Sequence, residues 1–244
     1  MYVVCMDAIR TTRRVASVVT RAIGTLVAAT TMTATVVTMA GSQASPVSAS
    51  ARFERAVNLF RNASSMRIRF DQTLMNPLTG SSVASHGELL RKKPNLVSIN
   101  FTEPSGDRIV SDGKFVWVYL PSSAPGQVIK VPTKASEVSM ADPLGQLLMS
   151  STDRYTLANA GSATIGTYPT HAVTMTPKRD AKVPFTAATV WIDDDEALIR
   201  QIETTEPSGV VRRIVLTRYS PNVSFSRDAF TFTPPPKMRV IDHM

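Results

Sequence analysis

Residues 87–119 read GELLRKKPNLVSINFTEPSGDRIVSDGKFVWVY. Leu89, Arg91 and Lys93 fall at every second position, and after Pro94 so do Val97, Ile99 and Phe101, with Ser98 and Asn100 between them. A period of two is that of a strand, whose successive side chains point to opposite faces. Residues 108–110 and 114–119 flank Asp112-Gly113, a dipeptide suited to the positive φ of a tight hairpin turn. Trp117 and Tyr119 share one face of the second of these strands.

Outward from this block the pattern repeats. Upstream, Met66, Ile68 and Phe70 alternate with Arg67, Arg69 and Asp71, a strand with one wet face. Before it, Phe53, Ala56, Val57, Phe60 and Ala63 have helical spacing, so residues 51–63 are predicted to form a helix. Downstream, strand signals fall at 127–131, 171–176, 189–193, 198–205 and 210–219, with turns at Asp193-Asp194-Asp195-Glu196 and Pro207-Ser208-Gly209. Residues 142–149 interrupt them. Asp142 before Pro143 is a helix start, and Leu144, Leu147 and Leu148 then share a face. The fold class is mainly β with helices (α+β): one antiparallel sheet, strongly curved or nearly closed, in one domain spanning 51–244.

The first fifty residues read as a leader. They hold four Arg, one Asp and the chain's one Cys, Cys5, and an uncharged run rich in Ala, Val, Thr and Met follows Arg21. This is the layout of an export signal, with small residues for a peptidase at Ser42-Gln43-Ala44 and at Ala49-Ser50-Ala51. A membrane anchor at 22–40 is the competing reading, weakened by the many Thr in that run. The full chain of 244 residues carries a net charge of +8; beyond the leader 23 basic and 18 acidic residues remain, a dispersed +5. Without a basic block carrying interleaved aromatics, nucleic acid is not an expected partner.

The search for chemistry returns little. There is no G-x-S-x-G, P-loop, G-x-G-x-x-G or H-E-x-x-H. His86, His171 and His243 show no ligand spacing, so neither a metal nor a cofactor is expected. The acidic run 193–196 lacks the alternating ligands of a calcium loop and reads as a solvated turn. Asp112 is accounted for by its turn, and no enzyme is expected. A large sheet with an apolar face and two amphipathic helices leaves two possibilities open: a packed core, or a cavity for an apolar ligand.

The order Gly87-Glu88-Leu89-Leu90-Arg91-Lys92-Lys93-Pro94-Asn95-Leu96, then Pro104, then Ile109-Val110-Ser111-Asp112-Gly113-Lys114 and Trp117-Val118-Tyr119, resembles the outer-membrane lipoprotein carrier (LolA-like) family. The tail Phe230-Thr231-Phe232-Thr233-Pro234-Pro235 resembles that family's closing strand, and 142–148 its mid-chain helix. The resemblance spans about residues 52–242. It implies an unclosed β-barrel capped by a helical lid, and a monomeric periplasmic carrier of lipoprotein acyl chains. Its partners would be an inner-membrane ATP-driven release complex and a receptor at the outer membrane. A regulatory variant of the same fold, which senses lipoproteins and restrains an anti-sigma factor, is the alternative. The acyl cavity is expected to be lined by Phe70, Leu89, Val97, Ile99 and Phe101 on the sheet. Trp117 and Tyr119 are assigned to the same cavity, with Leu144, Leu147 and Leu148 beneath the lid. The family places an Arg just before the Pro of the first block, where it latches the lid. Here that residue is Lys93, with Arg91 on the same face as a substitute.

Overall fold

The computed structural model describes residues 47–133, 145, 147, 152–181 and 183–242. The chain enters through α1 (Ala49–Asn62), which begins two residues before the predicted start, with Ser48 as its cap and Ala49 buried. The Ser48 hydroxyl accepts from the Ala51 amide at 3.2 Å. Ala49, Phe53, Ala56, Val57 and Phe60 make the buried stripe of α1.

Twelve strands follow: β1 (Ser65–Met75), β2 (Ser82–Lys92), β3 (Leu96–Glu103), β4 (Arg108–Ser111), β5 (Phe115–Tyr119), β6 (Gln127–Pro132), β7 (Tyr155–Ile165), β8 (Tyr168–Pro177), β9 (Ala187–Asp193), β10 (Ile199–Thr205), β11 (Val211–Pro221) and β12 (Arg239–Asp242). They form one open sheet in the order β12-β6-β5-β4-β3-β2-β1-β11-β10-β9-β8-β7. Two meanders, β1–β6 and β7–β11, are thus joined by the long antiparallel pairing of β1 with β11. Among the described residues the one parallel pairing is β12 on β6.

The quoted block shows why the sheet is well defined. Cross-strand rows on its inner face run Met66–Arg91–Val97, Ile68–Leu89–Ile99 and Phe70–Gly87–Phe101. In the last row Gly87 sits between two aromatics whose rings meet edge-on, 5.8 Å between centroids. A Cβ at Gly87 would lie 2.8 Å from Phe70 Cζ and 2.7 Å from the Asn100 carbonyl oxygen, so only glycine fits. At the β4–β5 turn Gly113 has φ 92°, and Asp112 accepts from the Lys114 and Phe115 amides at 2.7 Å each.

Both faces of the sheet are covered. On the inner face α1 packs into a core that also takes Val173 and Met175 of β8 and Val190 and Ile192 of β9. On the outer face the tail folds back. Its predicted strand does not form: Arg227–Phe230 is a single 3₁₀ turn, residues 231–235 are irregular, and the added strand is β12. Three prolines, Pro234 to Pro236, remove the amides that a strand over those residues would need. Phe230 is buried instead, edge-on to Phe225, over a layer that includes the buried Leu90, Ser98 and Val110.

Candidate functional site: the concave face beneath α1

The inner face, roofed by α1, is where an apolar ligand would be held. Phe70, Leu89, Val97, Ile99 and Leu147 are buried in one cluster with Phe53, Val57 and Phe60, and Phe101 packs against it. Gly145 and Leu147 are helical; Leu144 and Leu148 lie outside the described residues.

Trp117 and Tyr119 are placed elsewhere. In register, Val97 stands opposite Ser111, and Ser111 opposite Val116, so it is Val116 that shares the inner face. Trp117 stands opposite Val110, which stands opposite Ser98, and this row looks outward. Phe232 of the tail covers both aromatics, 5.9 Å from the Trp117 ring and 5.7 Å from that of Tyr119. The Trp117 indole donates to Asp112 Oδ2 at 2.8 Å. Parity within β5 put the two residues together correctly, but which face they occupy depends on pairing across three strands. Burial pushes the Asp112 carboxyl up, but the bond from Trp117, those from the Phe115 and Lys114 amides and the nearby Lys114 charge outweigh it. Asp112 therefore titrates below the ordinary carboxylate range. It is a structural acid, held in its turn.

α1 is tied at both ends by polar contacts. At its start, Arg52 Nη1 donates to Asp194 Oδ1 at 2.6 Å, and the same carboxylate oxygen lies 2.7 Å from His171 Nδ1. At its end, Lys93 Nζ donates to the carbonyl of Arg61, an orphan acceptor of the last turn. The Arg91 guanidinium lies 4.7 Å over the Phe60 ring. Both expected latch residues thus reach the last turn of α1. The acidic run 193–196 is a turn, but only partly solvated. Asp193 is buried and ion-paired to Arg200 at 2.6 Å, and Asp194 serves α1.

A cleft between Ala56, Phe60, Ile68, Ile199 and Leu216 has a free volume of about 20 Å³, room for about one water. Among the described residues, the side chains of α1 pack into the apolar trough.

The sequence profile of the family described as "Outer membrane lipoprotein carrier protein LolA" matches residues 61–233. The chain belongs to the LolA family. This LolA-family chain is 28% identical over 174 residues to the outer-membrane lipoprotein carrier protein of Photobacterium profundum, covering 71% of this chain and 80% of that protein. In structure it is similar to an uncharacterised conserved protein of Thermus thermophilus, with a TM-score of 0.51 at 11% identity, covering 80% of this chain and 99% of that one. It also matches a structure of the Pseudomonas aeruginosa MucA/MucB complex, at a TM-score of 0.42 and 14% identity, covering 79% of this chain and 63% of that one. Among the described residues the sheet is open and has twelve strands.

Half of the trough was missed from the sequence. Val173, Met175, Val190 and Ile192 line its second side and show the same alternation as the quoted block. The signal was present in both strands. Nothing local says that β8 and β9 curl round to face β2 and β3.

Proposed function

We propose that the protein is a periplasmic carrier that takes the acyl chains of lipoproteins onto the concave face of its sheet. It moves them from the inner towards the outer membrane without catalysing a reaction. α1 acts as a lid, with Phe70, Leu89, Val97, Ile99, Phe101 and Leu147 facing the chains and Lys93 and Arg91 holding the lid shut. Residues before Ser45 serve as the export leader. An inner-membrane ATP-driven complex loads the carrier, and a receptor at the outer membrane unloads it. The observation that carries this reading is the family match together with an apolar trough covered by one amphipathic helix.

The magnitudes agree with such a cycle. Lifting α1 exposes Phe53, Val57 and Phe60, at about 2 kcal/mol each, so the empty protein stays shut. About ten methylenes of an entering chain, at about 0.8 kcal/mol each, offset that cost. The contacts at the two ends of α1 add only about 1 kcal/mol apiece, because they are partly exposed. The lid is therefore held mainly by burial, which a ligand can replace, and less by polar bonds, which it cannot.

The test is to purify the protein from the periplasm of cells that make it and to identify bound acylated peptides by mass spectrometry. Recovery of lipoproteins on the native protein, and their retention at the inner membrane after its depletion, is the expected result. A protein that carries none, in cells whose lipoproteins sort normally without it, overturns the reading. Co-purification with a single-span membrane regulator would point to the sensing role instead.

A further inference from the structure

The narrow cleft beneath α1 is one arm of a larger groove. Leu59, Leu198 and Tyr219 line both it and a neighbouring open cleft of about 630 Å³, a size typical of ligand sites. The second arm is polar: Asn62, Thr217, Arg218 and Asn222 line it, with Arg200 and Glu196 at its far wall. Arg200 is already occupied. It is buried, bonded to Asp193 and Glu196 at 2.6 Å each, and covered by the Tyr168 ring at 3.5 Å. Arg218 makes no ion pair with any described residue. It stands directly across the sheet from Arg69, and Glu88 lies 3.7 Å from Arg69 and 3.6 Å from Arg67. These three guanidinium groups share the outer face with one carboxylate, so Arg218 meets the groove where it opens between β10 and β11 past the Gln201–Val215 pair.

Two further features mark the groove. Leu59 is 40% exposed at its mouth, although it lies on the helix that roofs the core. Ala197 (φ 56°) and Asn222 (φ 54°), two of three described non-glycine residues in the left-handed region, border it. Such backbone costs free energy and is concentrated at ligand sites.

We infer that this groove is a head-group site for an anionic amphiphile. The first part of an acyl-length chain lies in the apolar arm against Leu59 and Leu198, passes Tyr219 and Asn62 on the inner side, and the anionic head lies at the outer end of the polar arm on Arg218. The inference deepens the carrier reading and rests on it. It assigns a polar subsite to the rim of the trough, and a charge preference to the ligand. Burial raises the Tyr219 phenol above its ordinary range, so it stays a hydrogen-bond donor at any physiological pH.

The test uses the full mature protein and four probes below their micellar concentrations: dodecanoate, dodecanol, dodecylammonium and N-dodecanoyl-Ser-Asp, by titration calorimetry. The expected order is anionic probes tightest and dodecylammonium weakest. Arg218→Glu should weaken the anionic probes by about tenfold, leave dodecanol within about twofold, and improve dodecylammonium; Arg218→Lys should restore part of the loss. Leu59→Glu, at an exposed position that leaves the core intact, should weaken dodecanol as well. An effect of Arg218→Glu on dodecanoate alone assigns the site to free fatty acids, and one on the acylated dipeptide to lipoprotein termini. Unchanged binding of every probe in both variants overturns the head-group site while leaving a carrier that seats chains elsewhere. A wild-type protein that binds none of the four overturns the carrier reading as well.

Discussion

Replacing Lys93 with methionine tests whether α1 is latched. The substitution keeps the length and apolar stem of the side chain and removes the donor to the Arg61 carbonyl. That carbonyl belongs to the last turn of α1, where the helix dipole favours a cation, and water can reach it once the ammonium is gone. The lost interaction is therefore worth about 1 kcal/mol and not the several of a buried orphan. Converted at about 1.4 kcal/mol per tenfold, this is about a fivefold rise in the population of the lifted helix. The assay is native-state hydrogen exchange. In the wild type, the amides of α1 should exchange faster than those of Val173 and Val190, which are fully buried in strands paired on both sides. In Lys93→Met, protection across residues 56–62 should fall about fivefold, and uptake of an apolar dye should rise with it. Arg91→Met, which removes the cation over Phe60, should produce a similar loss of about 0.5–1 kcal/mol. Unchanged exchange in α1 in both variants would refute the latch. So would α1 amides as protected as those of Val173 and Val190, because the helix would then leave the sheet only when the whole protein unfolds.

Gly87→Ala should destabilise the protein by about 1–3 kcal/mol, the usual cost of an overpacked core, because the new methyl meets both Phe70 and the Asn100 carbonyl; thermal melts would show it. Phe232→Ala should lose about 1–2 kcal/mol and red-shift tryptophan emission by uncovering Trp117, with little effect on acyl-chain binding if that residue faces away from the trough. His86 should titrate above its usual 6.5, because its hydrogen bond to Asp71 at 2.6 Å favours the protonated ring over the opposing desolvation, helped by the charges of Asp71 and Glu103. That pair's stabilising contribution is present below 6.5 and is lost as pH rises through the folded value; proton NMR would read the midpoint, which Asp71→Asn should bring down. Processing of the leader should leave Ser45 as the first residue, since a cut after Ala51 would remove the Ser48 cap and the buried Ala49; the mass of the exported protein decides between the two sites.

The sequence by itself determined the parts governed by near neighbours. The alternation of Met66, Ile68 and Phe70, the Asp112-Gly113 turn and the helical stripe of Phe53, Val57 and Phe60 each follow from sterics and burial within a few residues, and each element formed where they indicate. The residue order from Gly87 to Tyr119 carried the family. Pairing across the sheet decided the rest. A strand's parity says which residues share a face, but its face relative to a distant strand depends on every intervening register and bulge. That is why Trp117 and Tyr119 came to lie outside while Val116 lies within. Likewise, the prolines beyond Thr233 could end a strand but could not say that Phe230 and Phe232 would cover the outer face. The join of β1 to β11, which turns two meanders into one trough, links residues about 150 positions apart. It forms because the two apolar faces can be buried together only in that pairing, and no local pattern contains that condition.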